Sequence, residues 1–244
     1  NHGRDAARGL SICAEKFPEK VIPVLPEIVP AFASPSSGIR SGIANTVGEL
    51  GRQRPDAVRY TVDPEVAGET TPASAVPLVE AIDDDRESVR SSAAGALGDL
   101  TVGDPSLFEL TRAPLVEQAL EDGNWMVEHV AVRALGRIGK ADPDAVRDLV
   151  PALIERLGDE NASLRAAACE ALGEIGARDP GAVGAAEQPL VDCLDDHVVR
   201  VRAAACEAVA QLGIERTGPK LRQLADDPED FVTLDIQRDL IEDT

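Results

Sequence analysis

Arginine and aspartate recur at matched positions along the 244-residue sequence, and they form the most regular set of residues that could do chemistry. Aspartate stands six residues before the arginine position in most copies. A guanidinium and a carboxylate can join in a bidentate ion pair, or the arginines can together bind an anion. We interpret the set as a structural ladder, in which each arginine bonds the aspartate of its own or a neighbouring turn. The ladder comprises Arg40, Arg90, Arg165, Arg202, Asp84, Asp122, Asp159 and Asp196.

One copy of the pattern departs from the others, because Glu128 takes the arginine position. The single tryptophan, Trp125, lies just before it, and His129, Arg133 and Arg137 follow at intervals of four residues. This spacing places the three basic side chains on one face of a helix. Tryptophan and arginine are frequent anchors of protein interfaces. We therefore predict a site for a partner peptide or an acidic ligand, comprising Trp125, His129, Arg133, Arg137, Glu170 and Glu174.

The same residues have a simpler interpretation as a pair of surface ion pairs. Glu170 and Glu174 occupy the slots one repeat along from Arg133 and Arg137. The arginines can therefore pair with these glutamates without any partner. The sequence is compatible with both the partner-binding site and the surface ion pairs.

No catalytic residue, metal site or cofactor is predicted. His129 has neither a nucleophile nor a second acid placed beside it by spacing. The four cysteines form no CxxC pair, and the three histidines are scattered, which is not the spacing of metal ligands. Cys169 and Cys206 share one slot in adjacent copies, so we interpret them as small buried packing residues. A disulfide between them is an alternative that a reducing compartment disfavours.

The elements that position these residues follow from a repeat. The stretch LRAAACEALGEIG, which contains Arg165, returns 37 residues later as VRAAACEAVAQLG. Apolar and small residues stand one before and three, four, seven and ten after the arginine position, which is one stripe of an α-helix. Asp-Pro pairs follow and are typical helix starts. A second proline should bend the helix that it enters, so each repeat is predicted to be a bent helix, a tight turn and a straight helix.

These features resemble the HEAT repeat, in particular the short HEAT-like type that is also found in phycobilisome lyases. The resemblance rests on the recurring aspartate, the apolar-arginine pair, the alanine-rich helix and its Leu-Gly ending. It implies an all-α, right-handed α-solenoid of about six to seven helix pairs, forming a single domain over residues 1–244, with the second helices lining the concave face. The family is specific for fold and unspecific for function.

Two intervals differ from the common period. An interval of 50 residues between Arg40 and Arg90 indicates an insertion at about 60–74, either a solvated loop or a functional loop. The last interval is shorter, and residues 217–244 are predicted to form a capping repeat. Because the sequence begins inside a second helix, we expect the native chain to extend upstream.

The amino-acid composition limits the classes of partner that the protein is expected to bind. The net charge is −20, only four residues are lysine and aromatic residues are 2%, which is typical of a cytoplasmic protein of a halophilic archaeon. The absence of a basic face disfavours nucleic acid and anionic membranes, and no apolar run is long enough to span a bilayer. We therefore expect a non-enzymatic scaffold that binds another protein or peptide. The alternatives are a bilin lyase-like protein that handles a chromophore and a HEAT-like DNA-binding or repair protein.

Overall fold

The structure is a computed structural model that describes residues 2–61, 77–214 and 217–225. Within these ranges all regular structure is helical. Long, uninterrupted α-helices form the second half of each repeat, and a shorter helix follows them. They are α1 (His2–Lys16), α2 (Ser37–Gln53), α3 (Glu87–Gly103), α4 (Trp125–Ala141), α5 (Ala162–Arg178), α6 (Val199–Gln211) and α7 (Gly218–Ala225).

The first half of each repeat is a broken helix, in which short α-helical turns alternate with 3₁₀ turns or, in one repeat, with a π-helical segment. The α-helical pieces are Pro18–Val21, Leu25–Ile28, Pro55–Val58, Pro77–Glu80, Phe108–Ala113, Pro143–Val146, Val150–Glu155 and Glu187–Asp192. The 3₁₀ pieces are Ile22–Val24, Val29–Ala33, Arg59–Thr61, Ala81–Asp83, Pro105–Leu107, Arg147–Leu149, Arg156–Gly158, Pro180–Ala186 and Cys193–Asp195, and the π-helical segment is Pro114–Ala119. These breaks confirm the predicted bending of the first helices. Their cause is proline, which lacks an N–H and clashes with the preceding turn of a helix.

Aspartate begins three of these broken helices, as the Asp-Pro pairs predict. The carboxylate of Asp104 accepts a hydrogen bond from the backbone N–H of Ser106 at 3.1 Å. Asp142 and Asp179 cap the next two first helices in the same way, with the proline directly after the cap. Each cap satisfies a backbone donor that the first turn of a helix leaves unpaired.

The chain divides into two compact units, residues 1–134 and 135–244. In the first unit, α1, α2 and α3 pack side by side. A Cβ added at Gly48 of α2 would lie 2.8 Å from the Cα of Ala96 in α3. Glycine therefore lets these two helix backbones approach closely.

In the second unit, the end of α4 packs against α5, and α5 packs against α6. A Cβ added at Gly136 would lie 2.7 Å from the Cα of Ala171, and one added at Gly173 would lie 2.9 Å from the Cα of Ala208. The recurring glycine thus meets the recurring alanine of the next long helix in both units. The core of each unit is built from the predicted stripe of alanine, valine, leucine and isoleucine.

Several expectations fall outside the described residues or stay predictions. The insertion at about 60–74 is described only at Tyr60 and Thr61, and the capping repeat only at residues 217–225. The single-domain organisation remains a prediction. In the part of the chain that the structure describes, no helix is long and apolar enough to cross a membrane.

Candidate functional site

The two ladder arginines of the first unit each bind the ladder aspartate of the following repeat. Arg40 Nε and Nη2 donate to Asp84 Oδ2 and Oδ1 at 2.6 and 2.7 Å. Arg90 makes the same two hydrogen bonds to Asp122, at 2.6 and 2.9 Å. The remaining guanidinium nitrogen, Nη1, donates to a backbone carbonyl six residues earlier, that of Ser34 or Asp84.

The second unit repeats this geometry. Arg165 donates to Asp196 Oδ2 and Oδ1 at 2.7 and 2.9 Å, and its Nη1 donates to the carbonyls of Asp159 and Glu160. Arg202 Nη1 donates to the carbonyl of Asp196 at 2.7 Å. The carboxylate that an arginine binds is thus in the next repeat, while the carbonyl that it binds is in its own turn.

Mutual hydrogen bonding shifts the ionisation of these groups. Hydrogen bonding to Asp196 raises the pKa of Arg165 against the opposing effect of burial. The hydrogen bonds from Arg165 lower the pKa of Asp196, although burial acts in the opposite direction. Both groups are therefore held in their charged forms. The N–H groups of Arg165 donate to a carboxylate and to backbone carbonyls. This arginine therefore connects two turns and does not offer its guanidinium to an anion.

In the repeat that contains α4, Glu128 takes the position that a ladder arginine occupies in other repeats. Its side chain is 8% exposed, and its carboxylate accepts a hydrogen bond from the backbone N–H of Gly123 at 2.8 Å. Gly123 has a φ of 79°, a left-handed conformation that glycine adopts without strain. Glu128 therefore closes the turn that leads into α4, in the place where other repeats use an arginine.

The predicted partner-binding residues of the first unit lie at the beginning of α4. Trp125 is the first residue of this helix and its side chain is 46% exposed, with Met126 also exposed. Arg133 is exposed and His129 is half-buried. An exposed indole on the same helix as basic side chains is an arrangement that can hold an acidic or aromatic segment.

The predicted residues of the second unit form a mixed-charge surface. Glu170 is exposed on α5, Glu174 is half-buried and Arg137 of α4 is half-buried. Lys140 Nζ lies 3.5 Å from Glu174 Oε1, in a partly exposed ion pair. The six residues predicted from sequence thus belong to two units.

The neighbouring long helices expose the same positions. In the first unit these are Asn45 and Glu49 on α2 and Gly95 and Asp99 on α3, all exposed or half-buried. In the second unit Glu207 on α6 is exposed and accepts a hydrogen bond from Gln211 at 3.1 Å. Each long helix therefore buries one stripe and presents a polar stripe to solvent.

The buried cysteines of the second unit are free thiols. Cys169 of α5, Cys193 of the 3₁₀ turn Cys193–Asp195 and Cys206 of α6 are all buried, and none of them is in a disulfide. Cys169 and Cys206, which share one slot in adjacent repeats, are thus buried residues as the sequence predicts.

Metal chemistry finds no support in the described ranges. In residues 2–61, 77–214 and 217–225, no group of three or more histidine, cysteine, aspartate or glutamate side chains could hold a metal ion. What the exposed stripes offer instead is hydrogen bonding, charge and one aromatic surface.

Comparison with known proteins places this arrangement in a family. The chain is similar to an engineered protein, with 22% sequence identity and a TM-score of 0.63 over 86% of this chain and 91% of that chain. It is similar to a designed armadillo repeat protein in complex with the peptide (KR)4, with 22% identity and a TM-score of 0.58 over 85% of this chain and 94% of that chain. It is also similar to a mutant of Kap121p, with 14% identity and a TM-score of 0.67 over 93% of this chain and 24% of that chain. No match was found among the curated proteins. Residues 75–152 and 150–240 match the family of HEAT repeats, and since they make up more than half of the sequence, this all-α repeat solenoid belongs to the HEAT-repeat family.

Proposed function

We propose that the protein is a non-enzymatic scaffold that binds another protein or a peptide through the exposed stripes of its long helices. The observation that carries the proposal is the repeated division of these helices into a buried stripe of small and aliphatic residues and a solvent-exposed polar stripe. Within each unit, helices that are held by packing and ion pairs are preformed, so binding costs little ordering entropy.

In the first unit, Trp125 is the proposed anchor. Its exposed indole can bury a large apolar area when a partner covers it, and Arg133 on the same helix supplies a charge. Residues of these two types contribute much of the free energy of many interfaces. His129 lies between them in sequence and adds a third polar contact.

In the second unit, Glu170 and Glu174 favour a cationic group, whereas Arg137 favours an anionic one. The designed armadillo repeat protein that shares this fold is in complex with a lysine- and arginine-containing peptide, which supports peptide binding as a use of such helices. Charge complementarity then selects among partners more than it adds affinity.

The amino-acid composition narrows the proposed class of partner and the proposed cellular location. With a net charge of −20 and four lysines, the protein is proposed to avoid nucleic acid and anionic membranes, since both require a basic surface. The same acidic, lysine-poor composition supports the cytoplasm of a halophilic archaeon as its location.

A pull-down of the tagged protein from its source cells in high-salt buffer, followed by mass spectrometry, tests the proposal. A stoichiometric protein partner is expected. Its affinity for the wild type and for a triple variant, Trp125→Ala/Arg133→Ala/Arg137→Ala, is then measured by calorimetry. The triple variant should retain its helical circular dichroism and bind at least about 10-fold more weakly, the loss that corresponds to one anchor residue.

The matched control removes the same residue types elsewhere. Phe17, Arg86 and Arg147 are an exposed aromatic residue and two exposed arginines outside the long helices, and their replacement by alanine should leave the affinity unchanged. Equal affinity of the triple variant and the wild type would refute the site. Capture of a chromophore or nucleic acid without protein would refute the scaffold function.

A further inference from the structure

One peptide bond of the sequence joins the residue types that readily rearrange to isoaspartate. Asp122–Gly123 is the one Asp-Gly pair in the 244 residues, and Asn-Gly does not occur. The rearrangement requires the backbone nitrogen of the second residue to attack the side-chain carboxyl carbon of the first. Glycine has no Cβ and leaves that nitrogen accessible. The turn that precedes α4 therefore contains both reactants for a change of its own backbone.

The conformation of the turn explains why glycine stands at this position. Gly123 has a φ of 79°, and a Cβ added to it would meet no atom within 4 Å. Backbone conformation rather than lack of space therefore selects glycine here. Gly123 is also exposed, so water reaches the peptide bond. The other ladder aspartates are followed by residues that have side chains, namely Asp85, Glu160 and His197.

The folded protein binds the two reacting groups to different helices. Arg90 of α3 donates from Nε and Nη2 to the two carboxylate oxygens of Asp122, at 2.6 and 2.9 Å, and the Asp122 side chain is 8% exposed. The N–H of Gly123 donates to Glu128 Oε1 of α4 at 2.8 Å. While these hydrogen bonds persist, a cation occupies both oxygens of Asp122, and neither oxygen can be protonated and leave as water.

We propose that Asp122–Gly123 is a site of isoaspartate formation that the Arg90 ion pair keeps unreactive, so that the reaction proceeds when this pair opens. The released carboxyl group takes up a proton, and the Gly123 nitrogen loses its proton to solvent and attacks Cγ of Asp122. The bond from Cγ to one oxygen breaks, water leaves, and a succinimide ring forms. Water then opens the ring. Cleavage of the bond between nitrogen and the main-chain carbonyl carbon gives isoaspartate, and cleavage at Cγ regenerates aspartate.

The product would uncouple the turn from α3. Isoaspartate adds one methylene carbon to the main chain between residues 122 and 123, and its free carboxylate is attached directly to Cα. This carboxylate no longer has the methylene group through which Asp122 reaches Arg90. The N–H of Gly123 is displaced from Glu128 at the same time. Trp125, the first residue of α4, follows this turn, so the modification would also move the exposed indole.

Peptide mapping tests the site. Trypsin releases the turn in one peptide, residues 113–133. The folded wild type is incubated at neutral pH and sampled over time, and a parallel sample is incubated in urea. The isoaspartyl peptide has the mass of the native peptide, elutes separately and is identified by electron-transfer fragmentation. We expect isoaspartate at residue 122 in urea and formation at least about 10-fold slower in the folded protein, since only the opened turn reacts.

Variants test the role of the ion pair. Arg90→Ala should accelerate the reaction in the folded protein at least about 10-fold, because a nearly buried carboxylate without its partner favours the open turn. The matched control is Arg40→Ala, which removes the other bidentate ladder pair of the first unit, with Asp84. Its rate at residue 122 should stay closer to that of the wild type than to that of Arg90→Ala.

Circular dichroism establishes that each variant is folded. If Arg90→Ala does not fold, Arg90→Lys takes its place, and it should give a smaller acceleration because lysine keeps the charge without the bidentate fork. Equal rates for the folded wild type and the protein in urea would overturn the proposal. A folded Arg90 variant that reacts no faster than Arg40→Ala would overturn it as well.

Discussion

Arg165 and Asp196, which stand 31 residues apart, are joined by two hydrogen bonds of 2.7 and 2.9 Å, and their side chains are 8% and 10% exposed. The same guanidinium donates to the backbone carbonyls of Asp159 and Glu160. One side chain thus closes its own turn and anchors the turn of the following repeat. Stability of the second unit should depend on this residue more than on any surface charge.

Replacing Arg165 by alanine should lower the free energy of unfolding by about 3–5 kcal/mol, because it leaves the nearly buried carboxylate of Asp196 without its partner. Arg165→Lys should recover only part of the loss, since an ammonium cannot make the bidentate fork. Urea denaturation followed by circular dichroism measures both. Arg147 is the matched control: its ion pairs with Asp144 and Asp179 are largely exposed, and Arg147→Ala should cost less than about 1 kcal/mol. Equal effects of the two alanine variants would contradict the assignment.

The ion pair also predicts an acid dependence of stability. The folded-state pKa of Asp196 is lowered by hydrogen bonding to Arg165, so its contribution is fully present above the unfolded-state pKa of about 3.9 and is lost as the pH falls through the folded-state value. The difference in unfolding free energy between the wild type and Asp196→Asn should therefore be constant from neutral pH to about 5 and shrink below about 4. A difference that does not change with pH would contradict this linkage.

Net charge predicts a dependence on salt. With a net charge of −20, the carboxylates repel one another when the Debye length is long, and this repulsion is screened in molar salt, where the length is about 3 Å. The Tm should rise between about 0.05 and 2 M KCl, mostly in the lower part of that range. Circular dichroism melts in KCl measure the shift, with sucrose as a control for effects that do not depend on charge. An unchanged Tm would remove the support for adaptation to high salt.

Residues that repeat in sequence could be placed from sequence alone. The Asp-Pro pairs predicted the caps at Asp104, Asp142 and Asp179, and the apolar stripe predicted the buried face of each long helix. These features are local, so periodicity and steric rules suffice to derive them.

Contacts between repeats could not be derived in the same way. Asp159 and Asp196 stand at equal offsets in their own repeats, and sequence does not tell which of the two carboxylates Arg165 binds. The structure shows that it binds the carbonyl of the first and the carboxylate of the second.

Gly48 leaves no room for a side chain where α2 packs against α3. A Cβ at this position would lie 2.8 and 2.9 Å from the Cα and Cβ of Ala96, and α2 and α3 would have to separate. Gly48→Ala should therefore destabilise the protein by about 1–3 kcal/mol, although alanine is the better helix former. Gly9 in α1 has no atom within 4 Å of the added Cβ, and Gly9→Ala should stabilise by up to about 1 kcal/mol. Urea denaturation of both variants measures the two signs, and a stabilising Gly48→Ala would show that the helices can move apart at no cost.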